Sequence, residues 1–104
     1  MRRLAFKMHR REGQEEEYKK RHNKIWPELK KLLKEAGISE YSIFLDDETS
    51  TIFAFQKVQE TGGSQTLGEN EIAKKWWAYM ADIMETNPDN SPLSVALEEV
   101  FYLE

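Results

Sequence analysis

The stretch YSIFLDDETSTIFAFQKV, residues 41–58, carries two short runs of alternating apolar and polar residues on either side of a polar turn. Tyr41 to Leu45 and Thr51 to Val58 have the period of two that is typical of β-strands, because successive side chains of a strand point to opposite faces. The intervening DDETS is rich in residues that favour turns. The stretch therefore predicts a β-hairpin in the middle of the chain, around which the other elements must be arranged.

A strand and a helix are predicted before the hairpin. The apolar residues of the strand alternate with polar or small ones, and they are Leu4, Phe6 and Met8. From about Gln14 to Ala36 the apolar residues recur at helical spacing, and Gly37 is placed to end the helix. Pro27 has no amide hydrogen to donate to the carbonyl four residues earlier, so we expect the helix to kink or restart there.

A loop, a second helix and a last strand are predicted after the hairpin. The segment QETGGSQTLGEN, residues 59–70, contains three glycines and no periodicity, and it is interpreted as a mobile loop. A helix from about Glu71 to Glu85 is apolar on one broad side. The sequence NPDNSP, residues 87–92, ends that helix because proline and asparagine favour turns. The final EEVFYL, residues 98–103, is expected to be the fourth strand.

The order strand, helix, strand, strand, helix, strand is that of the ferredoxin-like fold, an α+β fold in which a βαββαβ chain forms an antiparallel sheet. We expect a single domain over residues 1–104. Two helices cover only one face of such a sheet, yet the third strand has Ile52 and Ala54 on one side and Phe53 and Phe55 on the other. Leaving large apolar side chains exposed forgoes about 1.5–3 kcal/mol of burial each. We therefore predict a homodimer that packs sheet to sheet.

The composition of the 104-residue chain excludes several function classes. Fifteen basic against 19 acidic side chains give a formal net charge of −4, and nucleic-acid binding is disfavoured because it depends on clustered basic residues. The short clusters at residues 2–3 and 9–11 are expected to be solvated strand ends. The absence of cysteine excludes disulfides, thiolate zinc sites and thiol nucleophiles. The first residues lack the continuous apolar run of a signal peptide or a membrane span, so we expect a cytoplasmic protein.

One face of the first predicted helix carries a phenol and an imidazole. Tyr18 and His22 are four residues apart, and this spacing places them on the same face. A single histidine on a helix is more often a core or edge residue with its nitrogens satisfied, and that interpretation stays open. Pro27, just beyond, leaves backbone polar groups available beside the histidine. The presence of Tyr18 and Pro27 nearby favours a position for His22 in the wall of a polar pocket.

Three further aromatic residues are candidates for ligand binding. Trp76 is expected at the centre of the buried arc of the second helix, and Trp77 at its rim. Core packing explains either tryptophan alone, but two adjacent tryptophans rarely both find full burial on one helix. A rim indole can hold the apolar face of a sugar or a flat ligand. Tyr41 either adds a hydroxyl to this pocket or is an ordinary strand tyrosine.

Other kinds of site find little support in the sequence. The acidic residues of the hairpin turn are most simply turn-formers, and Asp89 either forms a turn or reaches a ligand. The two histidines lack the spacing of a metal site, no G-x-S-x-G motif supports a serine triad, and TGGSQTLG lacks the lysine of a phosphate-binding loop. The chemistry that remains is acid–base catalysis through His22 with neither metal nor cofactor.

With these residues identified, the chain resembles the L-rhamnose mutarotases from end to end. The resemblance rests on RRLAFKM, EEYKKRHNKIWPEL, YSIFLD, KWWAYMADIM, NPDNSPLS and EVFYL. It implies a dimeric ferredoxin-like α+β barrel and the interconversion of the α and β anomers of L-rhamnose, without a cofactor. It also implies that His22 is the catalytic proton donor and that the sugar is bound by Tyr18, Tyr41, Trp76 and Trp77.

Mutarotation opens the sugar ring by delivering a proton to the ring oxygen and removing one from the anomeric hydroxyl. We hypothesise that His22, whose imidazole titrates near neutrality, protonates the ring oxygen and takes the proton back on closure. Tyr18 and Tyr41 are expected to bind sugar hydroxyls, and the indoles its apolar face. The group that handles the anomeric proton stays open between Asp89, Asp46, Tyr18 and water.

Two other function classes stay open for the same fold. Cofactor-free oxygenases and haem-degrading enzymes use a helical histidine near a tryptophan and an asparagine, which His22, Asn23 and Trp26 could imitate. A non-catalytic module could use the same aromatic pocket only to hold a sugar. RNA recognition is disfavoured because basic residues and exposed strand aromatics in the required pattern are lacking.

Overall fold

The structure, a computed structural model, describes residues 2–59 and 67–104, so most of the predicted loop at 59–70 lies outside the described residues. Its strands are β1 (Arg2–His9), β2 (Ile38–Asp46), β3 (Thr51–Val58) and β4 (Ser94–Ala96). Its helices are α1 (Glu15–Asn23), α2 (Pro27–Glu35) and α3 (Glu71–Met80). No helix within the described ranges is long and apolar enough to cross a bilayer.

The four strands form one antiparallel sheet in the order β2-β3-β1-β4. This is the ferredoxin-like α+β arrangement that the order of elements predicts. The predicted hairpin is present, and β3 pairs with β2 on one side and with β1 on the other. The alternation of apolar residues along 41–58 therefore predicted the hairpin correctly, and the structure adds that β3 lies in the interior of the sheet.

The helices pack on one face of the sheet, which we call the inner face. The core there joins side chains of the central strands to those of the three helices, including Phe6, Ile52, Tyr18, Leu29 and Trp76. On the opposite, outer face, Phe44 and Phe55 are 59% and 44% exposed, and their rings meet edge to face with centroids 5.7 Å apart. One face of the sheet thus has a helical cover and the other presents apolar side chains.

The first predicted helix is interrupted, as the position of Pro27 indicates. The helix α1 ends at Asn23, and α2 begins with Pro27 in its first turn after the extended Trp26. Proline is favourable at this position because its fixed φ suits the helix and its missing amide hydrogen is not needed there. The break leaves the predicted helical stretch as two short helices of nine residues each.

Three predictions about element ends and exposure are wrong. The fourth strand is Ser94–Ala96 and not EEVFYL, because only the earlier residues lie opposite β1, where Phe6 pairs with Ala96. The helix α3 ends at Met80 and not at Glu85, and a turn follows it. Arg10, expected to be solvated, is 2% exposed, because its guanidinium donates to Asp47 Oδ1 over 2.7 Å beneath the hairpin turn.

Candidate active site

The helix α1 brings Tyr18 and His22 together on the inner face. Their rings stack with centroids 4.3 Å apart and an interplanar angle of 23°. His22 Nδ1 lies 3.1 Å from the backbone carbonyl oxygen of Tyr18. A carbonyl oxygen can only accept a hydrogen bond, so Nδ1 carries the proton and donates it. In the neutral ring the lone pair is then on Nε2, which makes Nε2 the basic nitrogen.

Burial and this hydrogen bond act on the pKa of His22 in opposite directions. Removal from water disfavours the imidazolium and lowers the pKa below 6.5, while the hydrogen bond to the Tyr18 carbonyl raises it and offsets part of the effect. The net pKa is lowered, so the ring is neutral at pH 7. A neutral imidazole in the resting state is a proton acceptor first, and a donor only after it has taken up a proton.

The Tyr18 phenol stays neutral at any ordinary pH. Its side chain is buried, and burial raises its pKa far above the usual value, with a smaller contribution from nearby Tyr41. The hydroxyl can therefore donate and accept hydrogen bonds at any ordinary pH. These properties suit a group that forms hydrogen bonds with a ligand rather than one that exchanges protons.

An irregularity in β2 accompanies the placement of Tyr41. The pairing register of β2 with β3 shifts between Ser39 and Ser42, and Glu40 has a φ of +47°, in the left-handed region. Bulges of this kind redirect side chains relative to a regular strand. Tyr41 lies within the shift, and its side chain lines the same space as Tyr18 and His22.

The helix α3 supplies the two tryptophans. Trp76 meets the His22 ring edge to face, with centroids 5.5 Å apart and an interplanar angle of 87°. Trp77 packs against Gly68, where an added Cβ would lie 3.4 Å from the indole. Both are 8% exposed, so the expectation that two adjacent tryptophans do not both find full burial on one helix is wrong. Gly68, which precedes α3, contacts the Trp77 indole, and helical periodicity does not reveal such a contact.

All five predicted site residues line one cavity of about 370 Å³ between the helices and the inner face of the sheet. This volume falls within the range of roughly 300–1,000 Å³ that is common for small-molecule sites. Apolar side chains from β1, α2, α3 and the stretch that follows α3 form most of the remaining wall, including Met8, Leu29, Leu33, Met80 and Met84. The cavity therefore combines an aromatic, mostly apolar surface with a few polar groups, which is common in small-molecule sites.

Sequence reasoning missed several residues of the wall, among them Lys30 and Pro92. Lys30 lines the cavity and is the only Lys, Arg, Asp or Glu that does so among the described residues. Pro92 lines it from the NPDNSP turn. The signal for Lys30 was its position next to the buried Leu29 on α2, whereas the contact of Pro92 depends on a turn whose path the sequence does not specify.

The acidic candidates for the second proton-transfer group do not line this cavity. Asp89 accepts hydrogen bonds from the Ser91 amide and hydroxyl, which lower its pKa, and it is exposed. Asp46 accepts from the Glu48 amide and the Thr49 hydroxyl in the hairpin turn. Both carboxylates stabilise turns, as the simpler interpretation of the sequence holds.

The residues that could imitate a haem site do not converge. Asn23 is exposed and does not line the cavity, and Trp26 packs against Trp76 and Tyr79 instead. Within residues 2–59 and 67–104 there is no group of three or more His, Cys, Asp or Glu side chains placed to hold a metal ion.

Comparison with known proteins gives one family. A model of the L-rhamnose mutarotase family matches residues 3–103. The L-rhamnose mutarotase of Formosa agariphila is 66% identical over 104 residues, and that of Bacteroides thetaiotaomicron is 61% identical over 104 residues, in both cases covering 100% of each chain. A crystal structure of L-rhamnose mutarotase from Formosa agariphila superposes with a TM-score of 0.92, at 62% identity and with 100% of both chains covered. The chain belongs to the L-rhamnose mutarotase family.

Proposed function

We propose that this protein is an isomerase that interconverts the α and β anomers of L-rhamnose by opening and reclosing the sugar ring. The observation that carries the proposal is the state of His22, a neutral imidazole held by its Nδ1–H on the wall of an aromatic cavity of sugar size. Membership of the L-rhamnose mutarotase family supplies the identity of the sugar.

The lowered pKa of His22 defines an order for the proton transfers. Because the ring is neutral at pH 7, the proton that it delivers to the ring oxygen must first be taken up, and the anomeric hydroxyl of the sugar is a source within the substrate. Nε2 accepts that proton as the O–H bond breaks. The C1 to ring-oxygen bond then breaks as the carbonyl forms, and the imidazolium returns the proton to the ring oxygen. Rotation about the bond to C1 and the reverse steps give the other anomer.

Charge is balanced in this cycle without a second acid or base. The imidazolium is stabilised while it exists by the Nδ1–H donated to the Tyr18 carbonyl. General acid–base help from a positioned side chain is typically worth about 10²- to 10⁴-fold. That is a useful acceleration for a reaction that already proceeds in water.

The other cavity residues are assigned to binding. We assign Tyr18 and Tyr41, which lie close enough to interact electrostatically, to hydrogen bonds with sugar hydroxyls. We assign Trp76 and Trp77 to contact with the apolar C–H face of the sugar. Tyr18, Trp76 and Trp77 are buried and Tyr41 is partly buried, so a bound sugar is largely removed from water, which strengthens each polar contact.

The experiment is saturation-transfer NMR on L-rhamnose with purified protein. Irradiation of the α-anomer H1 signal should reduce the β-anomer signal in the presence of the protein and not in its absence. Other free aldoses, with and without a 6-deoxy group, define the breadth of specificity in the same assay. Absence of transfer with L-rhamnose at saturating sugar overturns the proposed function. If tryptophan fluorescence nevertheless shows that the sugar binds, the protein is a binding module.

We also propose a homodimer that covers the outer face of the sheet. Phe44, Phe55 and Val95 are each between 44% and 59% exposed on β2, β3 and β4. Residues 97–104, here called the C-terminal segment, carry further exposed apolar side chains, and a second cavity of about 690 Å³ lies between this segment and the outer face. An isologous contact with a second copy would bury these surfaces on both protomers.

We propose a cytoplasmic location, which is usual for an enzyme of sugar metabolism, the class to which the L-rhamnose mutarotase family belongs. Fractionation of cells that express the protein tests this location. Recovery in a membrane or secreted fraction contradicts it.

A further inference from the structure

Arg21 is the neighbour of His22 in the chain, and its side chain makes polar contacts with three other residues. Its guanidinium donates from Nε to Glu17 Oε2 over 2.8 Å. It also donates to both carboxylate oxygens of Asp82, over 2.8 and 3.2 Å, and to the backbone carbonyl of Tyr79 over 2.8 Å. The guanidinium carbon lies 4.5 Å from the centre of the Tyr79 ring.

These contacts join the last turn of α1 to the end of α3. Glu17 is on α1, whereas Tyr79 is at the end of α3 and Asp82 is in the turn that follows. The Arg21 side chain is only 11% exposed, in contrast to 66% for Asp82, so α1 and α3 close over its stem. The bond to Arg21 holds the pKa of Asp82 below its usual range.

The same contacts continue into the cavity wall. The Tyr79 ring packs against both Trp76 and Trp26, with centroids 5.6 Å apart in each case. Trp76 in turn meets the His22 ring edge to face. A path of direct contacts therefore runs from Arg21 through Tyr79 and Trp76 to the imidazole of its own neighbour.

We propose that Arg21 is a positioning residue that clamps α1 to α3 and thereby holds the imidazole of His22 in register with Trp76. This inference rests on the proposed function of the cavity. Arg21 does not line the cavity, so it acts without touching the sugar. The planar fork of a guanidinium can bind two carboxylates and a carbonyl at once, whereas a lysine ammonium is a point donor on a flexible stem.

Loss of the clamp and loss of an ordinary surface ion pair should have different effects on catalysis. An exposed ion pair contributes little to stability, and its loss has no reason to change catalysis. A displacement of catalytic groups by about 1 Å can cost on the order of 10²-fold in rate. Loss of the clamp should therefore appear mainly in kcat, since the indoles and tyrosines that bind the sugar remain in place.

The test compares Arg21→Met and Arg21→Lys with Lys31→Met. Lys31 forms an exposed i,i+4 ion pair with Glu35 on α2. It does not line the cavity and takes no part in the contacts of Arg21, so Lys31→Met is the matched control. We expect kcat for anomer exchange to fall about 10- to 100-fold in both Arg21 variants. We expect KM to change less than about threefold, as binding groups are retained. Lysine should not restore the rate, and Lys31→Met should behave as wild type.

A second readout separates positioning from general stability. The His22 ring protons lie beside the Trp76 indole, so their NMR chemical shifts should move in Arg21→Met and stay unchanged in Lys31→Met. Asp82→Asn removes one clamp partner by a milder change and should give an intermediate loss of kcat, which keeps the test available if Arg21→Met does not fold.

Three outcomes would overturn either the proposed clamp or the proposed function. Wild-type kcat and unchanged His22 shifts in folded Arg21 variants overturn the clamp. A loss of rate that arginine-to-lysine substitution fully rescues also overturns it, because charge alone then suffices. Wild-type protein that accelerates no anomer exchange overturns the proposed function instead, and the His22 shifts in Arg21→Met still show whether the clamp holds the ring.

Discussion

At the scale of single residues, the chemistry of the site depends on which nitrogen of His22 holds its proton. The hydrogen bond to the Tyr18 carbonyl assigns the proton to Nδ1, and burial lowers the pKa of the ring below 6.5. An imidazole is neutral above its pKa and becomes charged only as the pH falls through that value. The resting enzyme at neutral pH therefore has its proton acceptor ready.

The pH dependence of the rate follows from this assignment. We expect the enzyme-dependent part of kcat/KM to be constant near neutral pH and to fall as the pH decreases through a single ionisation below 6.5. The cause is protonation of Nε2, which removes the acceptor. Tyr18 should add no alkaline limb below pH 9, because burial raises its pKa. Polarimetry after dilution of crystalline α-anomer, with buffer-catalysed exchange subtracted, measures the profile.

The opposite pH profile of the rate would contradict this assignment. A rate that increases as the pH falls below 6.5 would show that the imidazolium is the resting catalytic form, contrary to the order of proton transfers proposed above.

Helix geometry explains why part of the site was predictable from single residues. A spacing of four places Tyr18 and His22 on one face of any α-helix, and the rings do stack. The spacing does not set side-chain torsions, so it does not reveal the Nδ1 hydrogen bond. The burial of Trp77 was missed for a related reason, since one of its contacts is with Gly68, which belongs to a segment with no periodicity. Likewise, Arg10 is buried by a partner 37 positions away in the chain.

At the scale of elements, backbone hydrogen bonding decides where the helices and strands begin and end. The start of α2 at Pro27 was predictable, because the effect of a proline on a helix comes from its own ring and not from distant contacts. The strand β4 was misplaced because alternation in EEVFYL reports a preference for extended backbone, whereas a strand also needs a neighbour to pair with. The chain reaches β1 earlier, at Ser94–Ala96, and the last ladder bond is from the Leu97 amide to the Ala5 carbonyl.

The start of α3 depends on the side chain of Asn70. Its Oδ1 accepts from the amides of Ile72 and Ala73, over 2.8 and 3.4 Å. Replacement by alanine leaves these amides without that partner and should cost about 1 kcal/mol of unfolding free energy. For a domain of this size that corresponds to a decrease in Tm of roughly 4–8 °C.

Asn70→Asp is the matched control, because a carboxylate can accept the same hydrogen bonds and suits the positive end of the helix dipole. Thermal unfolding followed by circular dichroism measures both variants. Equal Tm values for Asn70→Ala and wild type would mean that the cap contributes nothing and that tertiary packing alone sets the start of α3.

At the scale of the whole molecule, the two faces of the sheet differ in what covers them. The helices bury the inner face, and this much was predictable because two helices can cover only one side. The presence of apolar residues at both parities of β3 predicted that the outer face is apolar too, and Phe55 is indeed exposed there. What covers that face in solution is a separate question, which the homodimer proposal answers.

Phe55→Asp tests the proposed dimer. A charge at the centre of a buried apolar contact is costly to desolvate, so we expect this variant to be monomeric at concentrations at which wild type is dimeric. Analytical ultracentrifugation over a range of concentrations measures the change. The control Lys31→Glu makes a larger change of charge on the exposed face of α2 and should leave the oligomeric state as in wild type.

A monomeric wild-type protein over that whole range contradicts the dimer. A dimer that persists in Phe55→Asp places the contact on another surface.

The most direct test of the account is the rate of anomer exchange of L-rhamnose catalysed by His22→Gln, measured by saturation-transfer NMR beside wild type. Glutamine keeps a polar side chain of similar size at the cavity wall and cannot shuttle a proton. The account predicts that the enzyme-dependent rate falls about 10²- to 10⁴-fold while sugar binding, followed by tryptophan fluorescence, is retained. A folded His22→Gln protein that exchanges anomers at the wild-type rate would contradict it.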